Sequence, residues 1–429
     1  MHADLLIRNI GQLATCASEG AKKGRAMSDA GFIEEAAIAI VDGKVAAVGD
    51  SEAICRDLSA AEEIDASGCA VVPGFVDCHT HIVYAGDRLN EFEMKIEGAA
   101  YLDILAAGGG ILSTVEATRS ASEGELVRGG LNRLNKMFQC GTTTAEIKTG
   151  YGLETGAELK MLAAIAEIDR LHLIDVVPTF LGAHTLPPEL RDDPDVYVDV
   201  LCDEMMPKVW SWYEVSHFEP AGVRMFADVF CENKAFSRDQ TETILRTAKA
   251  LWFGLKAHAD QFTNLGASRL AIELGAASID HLDSISAEEV RMLADSDTIG
   301  VVIPTENFSG GKTIFADARK MIDAGCAIAV STDYNPGSAP CPSLPMAMAI
   351  ACRYQKLLPA EALNAVTINA AHAIGMGERK GSIEVGKDAD LLLLDGTDYR
   401  QLAYEFGGSC INKIVKAGHV ITLGPERPI

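Results

Sequence analysis

The sequence predicts an α/β fold, in which a (β/α)8 TIM barrel carries a small β-sandwich built from both ends of the chain. In the middle of the chain, apolar strand-like runs alternate with helical stretches, and this alternation is typical of a parallel barrel. At both ends, short strands follow one another without helices between them. A chain of 429 residues is long enough for one large and one smaller domain. We therefore expect residues 1–71 and 378–429 to form the sandwich and residues 72–377 to form the barrel.

The strands at the two chain ends are short and apolar. Asp42 and Gly43 separate two of them, and this dipeptide is a strong signal for a tight hairpin. Neither end carries enough apolar surface to be stable alone, so we expect the two ends to pair. The end strands are predicted over residues 4–7, 37–41, 45–48 and 389–394, and a hairpin is predicted over residues 414–421.

The middle of the chain predicts eight parallel strands separated by helices. They are expected over residues 71–77, 142–148, 174–180, 225–231, 252–257, 276–279, 298–303 and 326–331. Four helices are predicted to begin at capping boxes, at Ser122/Glu125, Thr155/Glu158, Ser237/Gln240 and Ser286/Glu289. A doubly wound sheet is the alternative, but no glycine-rich phosphate loop follows the first strand, which counts against nucleotide binding.

The composition argues against several classes of function. Lys and Arg number 37 against 61 Asp and Glu, a formal net charge of −24, so the surface repels nucleic acid and anionic membranes. Eleven cysteines are scattered without a C-x-x-C pair, which favours reduced thiols in a cytoplasmic enzyme. The sequence contains no signal-peptide pattern and no apolar run of about 18 residues, so we expect no membrane span.

The most informative motif is the run VVPGFVDCHTH at residues 71–81, an apolar strand that ends in two histidines. Side chains at positions i and i+2 of a strand point to the same side. His79 and His81 can therefore present two imidazoles to one point, as strand ends do when they bind a divalent metal. From these residues alone, the alternative is a pair of surface histidines with local hydrogen bonds.

Polar residues also follow the other predicted strands, and in a barrel these strand ends meet at the C-terminal face. Five of the ten histidines fall there. A third histidine, His258, and a carboxylate, Asp333, complete a mixed nitrogen and oxygen site that suits zinc or iron with room for water. His281 could be a fourth ligand or a base near the metal, or a structural histidine paired with Asp280 or Asp283. The candidates at strand ends are His79, His81, Glu146, Lys148, Tyr151, His184, Glu232, His258, Gln261, His281, Asp333 and Asn335.

These motifs resemble the amidohydrolase superfamily. Its pattern includes a His-x-His after the first strand, histidines after strands five and six, and an aspartate after strand eight. Residues 380–391 (KGSIEVGKDADL) are typical of its β-sandwich. The resemblance runs over nearly the whole chain, and the combination of motifs is far more specific than His-x-His alone. The motifs are PGFVDCHTHIVYAGDR (73–88), KTGYGL (148–153), TFLGAHTLP (179–187), residues 258–261 and STDYNPGS (331–338).

The resemblance implies a role for each matching position. The implied metal ligands are His79, His81, His258 and Asp333. One metal per chain, zinc or iron, is expected, because strand four ends at Glu232 without the lysine that holds a second metal in many members. The residues implied to hold substrate or product are Arg88, Tyr151, His184, Gln261, Asn335, Gly337 and Ser338.

The residues implied to take part in catalysis are Asp333, His281 and Gln261. Asp333 would move the proton, and His281 would stabilise developing charge or share the proton transfer. Gln261 stands where many members have glutamate. A neutral amide can orient a group but cannot act as a base, so we expect Gln261 only to orient its partner.

Within the superfamily, the combined motifs imply a hydrolase that opens the ring of 4-imidazolone-5-propanoate to give N-formimidoyl-L-glutamate, the third step of histidine degradation. Arg88 would offer a bidentate fork to the propanoate. Its alternative is an ion pair with Asp87 or Glu91. The resemblance also implies a homodimer. Another cyclic amidohydrolase or deaminase of the superfamily is the alternative function, and a non-catalytic scaffold on the same fold is a remote one.

Overall fold

A computed structural model describes residues 2–56, 58–98 and 109–423 of the chain. Its strands form two eight-stranded sheets, one mixed and one parallel. The mixed sheet comprises β1 (His2–Ala14), β2 (Phe32–Val41), β3 (Lys44–Asp50), β4 (Ser59–Asp65), β5 (Ala70–Pro73), β14 (Leu391–Leu394), β15 (Ile411–Lys416) and β16 (His419–Thr422). The parallel sheet comprises β6 (Phe75–Asp77), β7 (Thr142–Lys148), β8 (Asp175–Ala183), β9 (Phe226–Val229), β10 (Gly254–Ala259), β11 (Ser278–His281), β12 (Ile299–Val302) and β13 (Ile328–Val330).

Helices lie between most consecutive strands of the parallel sheet. The α-helices span Ser51–Cys55, Leu89–Ile96, Ile111–Ser120, Glu123–Gln139, Thr155–Leu171, Pro194–Asp199, Met206–Val215, Arg238–Ala250, Ala267–Leu274, Ala287–Ala294, Pro304–Ser309, Ala318–Asp323, Leu344–Ile350, Pro359–Ala365, Ile368–Ala373 and Gln401–Tyr404. Short 3-10 turns span Gly24–Ser28 and Pro188–Leu190, and π-helical turns span Val200–Met205 and Ala351–Gln355. Within the described ranges, no helix is both long and apolar enough to cross a membrane.

The parallel sheet closes into the predicted barrel. Strands β6 to β13 pair in chain order, each with the next. The first and last strands then meet through a parallel bridge between Thr80 and Tyr334, where the His81 amide donates to the Tyr334 carbonyl at 3.0 Å. The (β/α)8 prediction is therefore confirmed. The closing bridge also places His79 and His81 beside Asp333, because each of these residues adjoins the bridged pair.

The strand predicted over residues 71–77 is in fact two strands that belong to different sheets. Strand β5 pairs with β1 and β14 in the mixed sheet, whereas β6 begins the barrel. Gly74 is the junction, and a Cβ there would lie 2.3 Å from the Thr143 hydroxyl oxygen. The close approach of the neighbouring strand therefore requires glycine at this position.

Three of the four predicted capping boxes are present, at Ser122/Glu125, Ser237/Gln240 and Ser286/Glu289. The fourth is wrong, because the helix Thr155–Leu171 has Glu154 at its N-cap position and no side-chain cap. Glu158 instead accepts hydrogen bonds from the backbone amides of Gly150, Gly152 and Leu153. The buried Glu158 carboxylate thus binds three loop amides instead of the single amide at the N-cap.

Both chain ends contribute to the mixed sheet, as predicted. Strand β14 pairs antiparallel with β5 and β15, so the C-terminal strands extend the sheet that the N-terminal strands begin. A separate apolar core lies on this sheet and includes Ile7, Ile38, Ile40, Leu391 and Leu393. This shared core explains why neither end needs to be stable alone.

A cluster of ion pairs joins the mixed sheet to the barrel. Lys380 Nζ lies 2.8 Å from Asp390 and 3.0 Å from Asp388, and it also contacts Asp175 at the start of β8. Lys416 Nζ lies 2.7 Å from Asp390 and 2.5 Å from Asp175. Both lysine side chains are buried. The two cations therefore bridge carboxylates of the two sheets.

We predict that Lys380→Met destabilises the fold, because it leaves Asp175 and Asp390 to share Lys416, whereas Asp388 keeps Lys44 and Arg379. Breaking a buried ion pair costs about 3 kcal/mol or more, so the free energy of unfolding should fall by about that amount in a urea titration. Lys320→Met is the matched control, since the Lys320 side chain is 82% exposed and its pairing with Asp317 is a surface one. Equal stability of the two variants would contradict a bridging role for Lys380.

Candidate active site

The C-terminal ends of the barrel strands surround a cavity of about 140 Å³. Its wall contains most of the residues that the sequence analysis selected, and also Lys95, Ile111 and Phe230, which it did not. The cavity is lined by His81, Arg88, Lys95, Ile111, Tyr151, His184, Phe230, His258, Gln261, His281, Asp333, Asn335, Gly337 and Ser338. Since active sites of (β/α)8 barrels form at this face, this cavity is the candidate site.

A larger groove of about 570 Å³ lies elsewhere, beside the helix Gln401–Tyr404. Its arginines are already bonded, because Arg353 donates to main-chain carbonyls and Arg400 pairs with Asp398. No histidine lines this groove. Size alone does not make it the better candidate, since the smaller cavity holds the convergent polar groups.

The first two predicted ligands converge with Asp333. The Nε2 atoms of His79 and His81 are 3.2 Å apart. Asp333 Oδ1 lies 3.4 Å from the His81 nitrogen and 3.7 Å from the His79 nitrogen. All three side chains are buried. Two imidazole nitrogens and a carboxylate oxygen at these separations form a donor set that suits a metal ion.

His258 joins the same cluster, together with two further histidines. Its ring centroid lies 4.4 Å from that of His79 and 5.5 Å from that of His81. Donor atoms of His258 lie within 4.8 Å of those of His79 and His281, and also of those of His81 and His184. Both ring nitrogens of His258 are buried without a hydrogen-bond partner in the part of the chain that is described. The structure therefore brings the four predicted ligands together and adds His184 and His281 at similar distances.

The electrostatics of the cluster also fit a bound cation. Burial and neighbouring cationic groups hold the pKa values of His79, His81 and His281 well below the usual range, and burial lowers the pKa of His184 to about 3. These imidazoles are therefore neutral and can act as ligands. Burial raises the pKa of Asp333 well above its usual range. Among neutral imidazoles, this carboxylate needs a positive charge beside it to stay ionised.

The backbone at the cluster is in an unusual conformation. His281, Leu282 and Asp333 have φ angles of 83°, 68° and 50°, in the left-handed region that L-residues seldom adopt. Such strain persists only where the surrounding contacts hold it, and it concentrates at functional sites. The strained backbone positions therefore coincide with the cluster of polar donors.

A network of buried charges lies beside this cluster inside the barrel. Lys148 Nζ is 2.7 Å from Asp228 and 3.0 Å from Glu146. Lys256 Nζ is 2.8 Å from Glu146, and Asp280 lies 3.7 Å from Lys148. The side chains of all five residues are fully buried. Burial acts to raise the pKa of Asp228, but the proximity of His258 and of the Lys148 ammonium holds it well below its usual range.

Two carboxylates of the network contact predicted ligands. Asp280 Oδ2 lies 2.6 Å from His79 Nδ1, so the Nδ1–H donates and Nε2 is left to face His81 and Asp333. Asp228 lies 3.0 Å from His258 Nδ1, although the geometry is not that of a hydrogen bond. A carboxylate on the far nitrogen of a ligating histidine fixes its tautomer and ring orientation. Asp280 is thus a partner of His79, and the proposed pairing of Asp280 with His281 is not observed.

Sequence analysis missed Asp228 and Lys256 and misassigned Asp280. Period-two alternation offered a signal, because Lys256 shares a strand face with His258, and Asp280 lies within β11. The predicted strand 276–279 ended too early to include Asp280, whereas Asp228 and Lys256 lay inside the predicted strands 225–231 and 252–257. Strands β10 and β11 extend to Ala259 and His281, so His258 and His281 lie within strands rather than after them.

Glu158 organises the loop that carries Tyr151. Its carboxylate accepts the amides of Gly150, Gly152 and Leu153 at 2.8–3.1 Å. Tyr151 is 3% exposed and lines the cavity. His184 Nδ1 lies 3.1 Å from the Gly150 carbonyl, and its ring stacks on that of His81. The two predicted ring-binding residues are therefore held on one wall of the cavity.

Asn335 organises the loop after the last barrel strand. Its Oδ1 accepts the amides of Gly337 and Ser338, both at 2.8 Å, and its Nδ2 donates to the Asp333 carbonyl at 2.7 Å. The amides of Gly337 and Ser338, two residues implied to hold substrate or product, are therefore bonded to Asn335 here. They would have to exchange partners to reach a ligand.

Arg88 is paired with Glu91, as the sequence analysis allowed. Nε and Nη2 donate to the two carboxylate oxygens at 2.8 and 2.7 Å. Nη1 remains and packs on Gly337, where a Cβ would lie 2.2 Å from it. An arginine has five donor hydrogens, so one edge of the guanidinium stays available to a second carboxylate.

Gln261 lines the cavity beside His258. Its loop is held by Glu232, whose Oε2 accepts the amides of Phe262 and Thr263, both at 3.0 Å. Glu232 thus acts on the loop backbone, which the sequence analysis did not foresee when it placed this residue at a strand end.

Comparison with known proteins agrees with this arrangement. A model of the amidohydrolase family matches residues 233–421. The solved structure of an adenosine deaminase from Xanthomonas campestris with bound zinc superimposes with a TM-score of 0.72 at 19% identity, covering 98% of this chain and 93% of that one. Guanine deaminase from E. coli gives a TM-score of 0.68 at 14% identity, covering 97% and 98%. At such identities the similarity shows the fold alone.

Curated relatives are far more similar in sequence. An imidazolonepropionase from Chloroflexus aggregans is 50% identical over 97% of this chain and 98% of its own. One from Herpetosiphon aurantiacus is 49% identical over 98% and 97%. The barrel, its histidine-rich strand ends and the second sheet thus define the class of metal-dependent amidohydrolases. Within that class, the chain belongs to the imidazolonepropionase family.

We predict that Asp280→Asn weakens metal binding without unfolding the barrel, because His79 loses the carboxylate that fixes its tautomer. Loss of such a partner typically costs about 10–100-fold in metal affinity. Competition with a chromophoric chelator would measure it. Asp283→Asn is the control, since Asp283 bonds to Asn307 and the Ala316 amide rather than to a predicted ligand. Wild-type affinity in Asp280→Asn would contradict the positioning role.

Proposed function

We propose that this chain hydrolyses 4-imidazolone-5-propanoate to N-formimidoyl-L-glutamate, the third step of histidine degradation. The observation that carries the proposal is the near full-length similarity to relatives named imidazolonepropionase. The cavity supports it, since neutral imidazoles, a carboxylate and a guanidinium surround one small space. Another cyclic amidohydrolase or deaminase is the alternative, but a deaminase would not need an arginine for a propanoate tail.

We propose that one zinc or iron ion per chain is held by His79, His81, His258 and Asp333. The donor set supports this, because it combines neutral imidazole nitrogens with a carboxylate. When bound, such a metal polarises a carbonyl group and lowers the pKa of water from about 15.7 toward 7. His281 and His184 lie at comparable distances, and we assign them to the substrate side of the site.

The chain's own residues would move the proton. Asp333 is buried beside the His79 and His81 nitrogens, so its carboxylate can take the proton of the attacking water and return it to the leaving ring nitrogen. His281 would donate to the oxygen that becomes negatively charged. Gln261 would orient the ring through its amide, because an amide cannot accept the proton.

Substrate recognition would divide between the two sides of the cavity. Arg88 would bind the propanoate through the guanidinium edge that Glu91 leaves available. Tyr151 and His184 would contact the flat ring. Asn335 would hold the loop so that Gly337 and Ser338 lie beside the tail, and the absence of a side chain at Gly337 allows Arg88 to approach.

We further infer a homodimer in the cytoplasm, as the resemblance to the superfamily implies. Eleven cysteines without a C-x-x-C pair fit a reducing compartment. The expected partners are the small-molecule substrate and a second copy of the chain, and the net charge of −24 argues against nucleic acid.

The test is the substrate preference of the purified, metal-loaded protein. It should consume 4-imidazolone-5-propanoate with a higher kcat/KM than hydantoin, dihydroorotate or guanine. Asp333→Asn should be nearly inactive, because one change removes a ligand and the proton acceptor. A higher kcat/KM for any of the other three compounds would refute the proposed substrate.

We predict that Arg88→Ala lowers kcat/KM by at least about tenfold, since charge-assisted hydrogen bonds contribute about 1.5–3 kcal/mol each. Arg88→Lys keeps the charge but loses the fork, so KM should still rise. An analogue without the carboxylate should respond little to either change. Equal losses on both compounds would mean that Arg88 only supports the structure through Glu91.

A further inference from the structure

Lys95 shares a helix face with Arg88 and Glu91. Arg88 is the N-cap residue of the helix Leu89–Ile96, and Glu91 and Lys95 follow it at the i+3 and i+7 positions. Residues at this spacing lie on one face of an α-helix. Arg88 and Lys95 both line the candidate cavity. The helix thus presents two cations to the mouth of the site.

The charge of Arg88 is already balanced. The Glu91 carboxylate accepts two hydrogen bonds from the Arg88 guanidinium. It also accepts one from the Gly110 amide at 2.6 Å. The Arg88–Glu91 pair is therefore close to neutral as seen from the cavity. It offers directed donors to an anion but little net charge, and net charge is what attracts an anion over a distance.

The charge of Lys95 is not balanced in the same way. In residues 2–56, 58–98 and 109–423, no carboxylate lies within ion-pair distance of its Nζ, and its one described bond is a long one of 3.4 Å to the Gly337 carbonyl. The nearby carboxylate Glu306 is itself paired with Lys312 at 2.7 Å. Among Arg88, Lys95 and Lys312, Lys95 is thus the cation without a paired carboxylate in the described residues.

The Lys95 ammonium and the Arg88 guanidinium also repel each other. Burial and the proximity of Arg88 lower the pKa of Lys95. Both contact the same residue, because the Lys95 amine reaches the Gly337 carbonyl and the Arg88 guanidinium packs on the Gly337 Cα. An anion placed between them would relieve the repulsion and use donors that are otherwise poorly bonded.

We propose that Lys95 is a specificity-determining residue that binds the carboxylate tail of the substrate together with Arg88. Lys95 supplies the net positive charge. The guanidinium of Arg88, which Glu91 holds in place, supplies hydrogen-bond donors of fixed direction. This inference rests on the proposed function only for the identity of the substrate. It requires of the ligand just a flat ring with a short acidic tail.

The test compares imidazole-4-propanoate with its uncharged amide, by calorimetry on the metal-loaded protein. Lys95→Met removes the charge and keeps the chain length. Its affinity for the propanoate should fall about tenfold, the loss expected for one charge-assisted hydrogen bond, and its affinity for the amide should be nearly unchanged. Lys95→Arg should keep most of the propanoate affinity.

Lys136→Met is the matched control, because Lys136 is exposed in the helix Glu123–Gln139 and lies outside the cavity. On 4-imidazolone-5-propanoate, Lys95→Met should raise KM about tenfold, with kcat nearly unchanged and a weaker dependence of KM on salt. The proposal fails if Lys95→Met binds the propanoate as tightly as Lys136→Met, or loses equal affinity for the amide.

Failure of the proposed function would look different. In that case the wild-type protein would not turn over 4-imidazolone-5-propanoate, while its preference for the charged over the uncharged analogue would still depend on Lys95.

Discussion

The buried ion network of Lys148, Lys256, Glu146, Asp228 and Asp280 is the constraint on which the site depends. Removing charges from water is costly unless each is paired and hydrogen-bonded. These pairs join β7, β9, β10 and β11. A relative shift of these strands would therefore break buried ion pairs. With all five groups ionised, two cations face three carboxylates, and the excess negative charge lies beside the imidazole cluster, where it favours a bound cation.

The loops at the mouth of the cavity are held by side-chain hydrogen-bond acceptors rather than by ion pairs. In each, one side-chain acceptor collects several backbone amides: Glu158 for the Tyr151 loop, Glu232 for the Gln261 loop and Asn335 for the loop after β13. Glu91 combines one backbone amide, that of Gly110, with the side-chain guanidinium of Arg88. Each acceptor satisfies amides that a buried turn would otherwise leave unpaired. The side chains that these loops present to the cavity are thereby held in place.

The barrel fold is shared with deaminases of little sequence similarity, so the fold does not decide the substrate. The outer end of the cavity is a candidate for that role. There a helix face brings Arg88, Glu91 and Lys95 against Gly337. We propose that the inner end provides the hydrolytic chemistry and that the outer end provides charge that matches an acidic tail. This division would place reactivity on strands and recognition on the helix and loops that follow them.

The sequence by itself determined the barrel, the second sheet from both ends and the convergence of His79, His81, His258 and Asp333. These follow from local periodicity, since alternation along a strand and the order of strands place such residues at one face. Only the tertiary structure decided that residues 71–77 divide at Gly74 between two sheets, that Glu158 binds a loop instead of capping a helix, and that Asp280 pairs with His79. Each of these depends on which distant segment lies within hydrogen-bond reach, and the pattern of one segment carries no information about that distance.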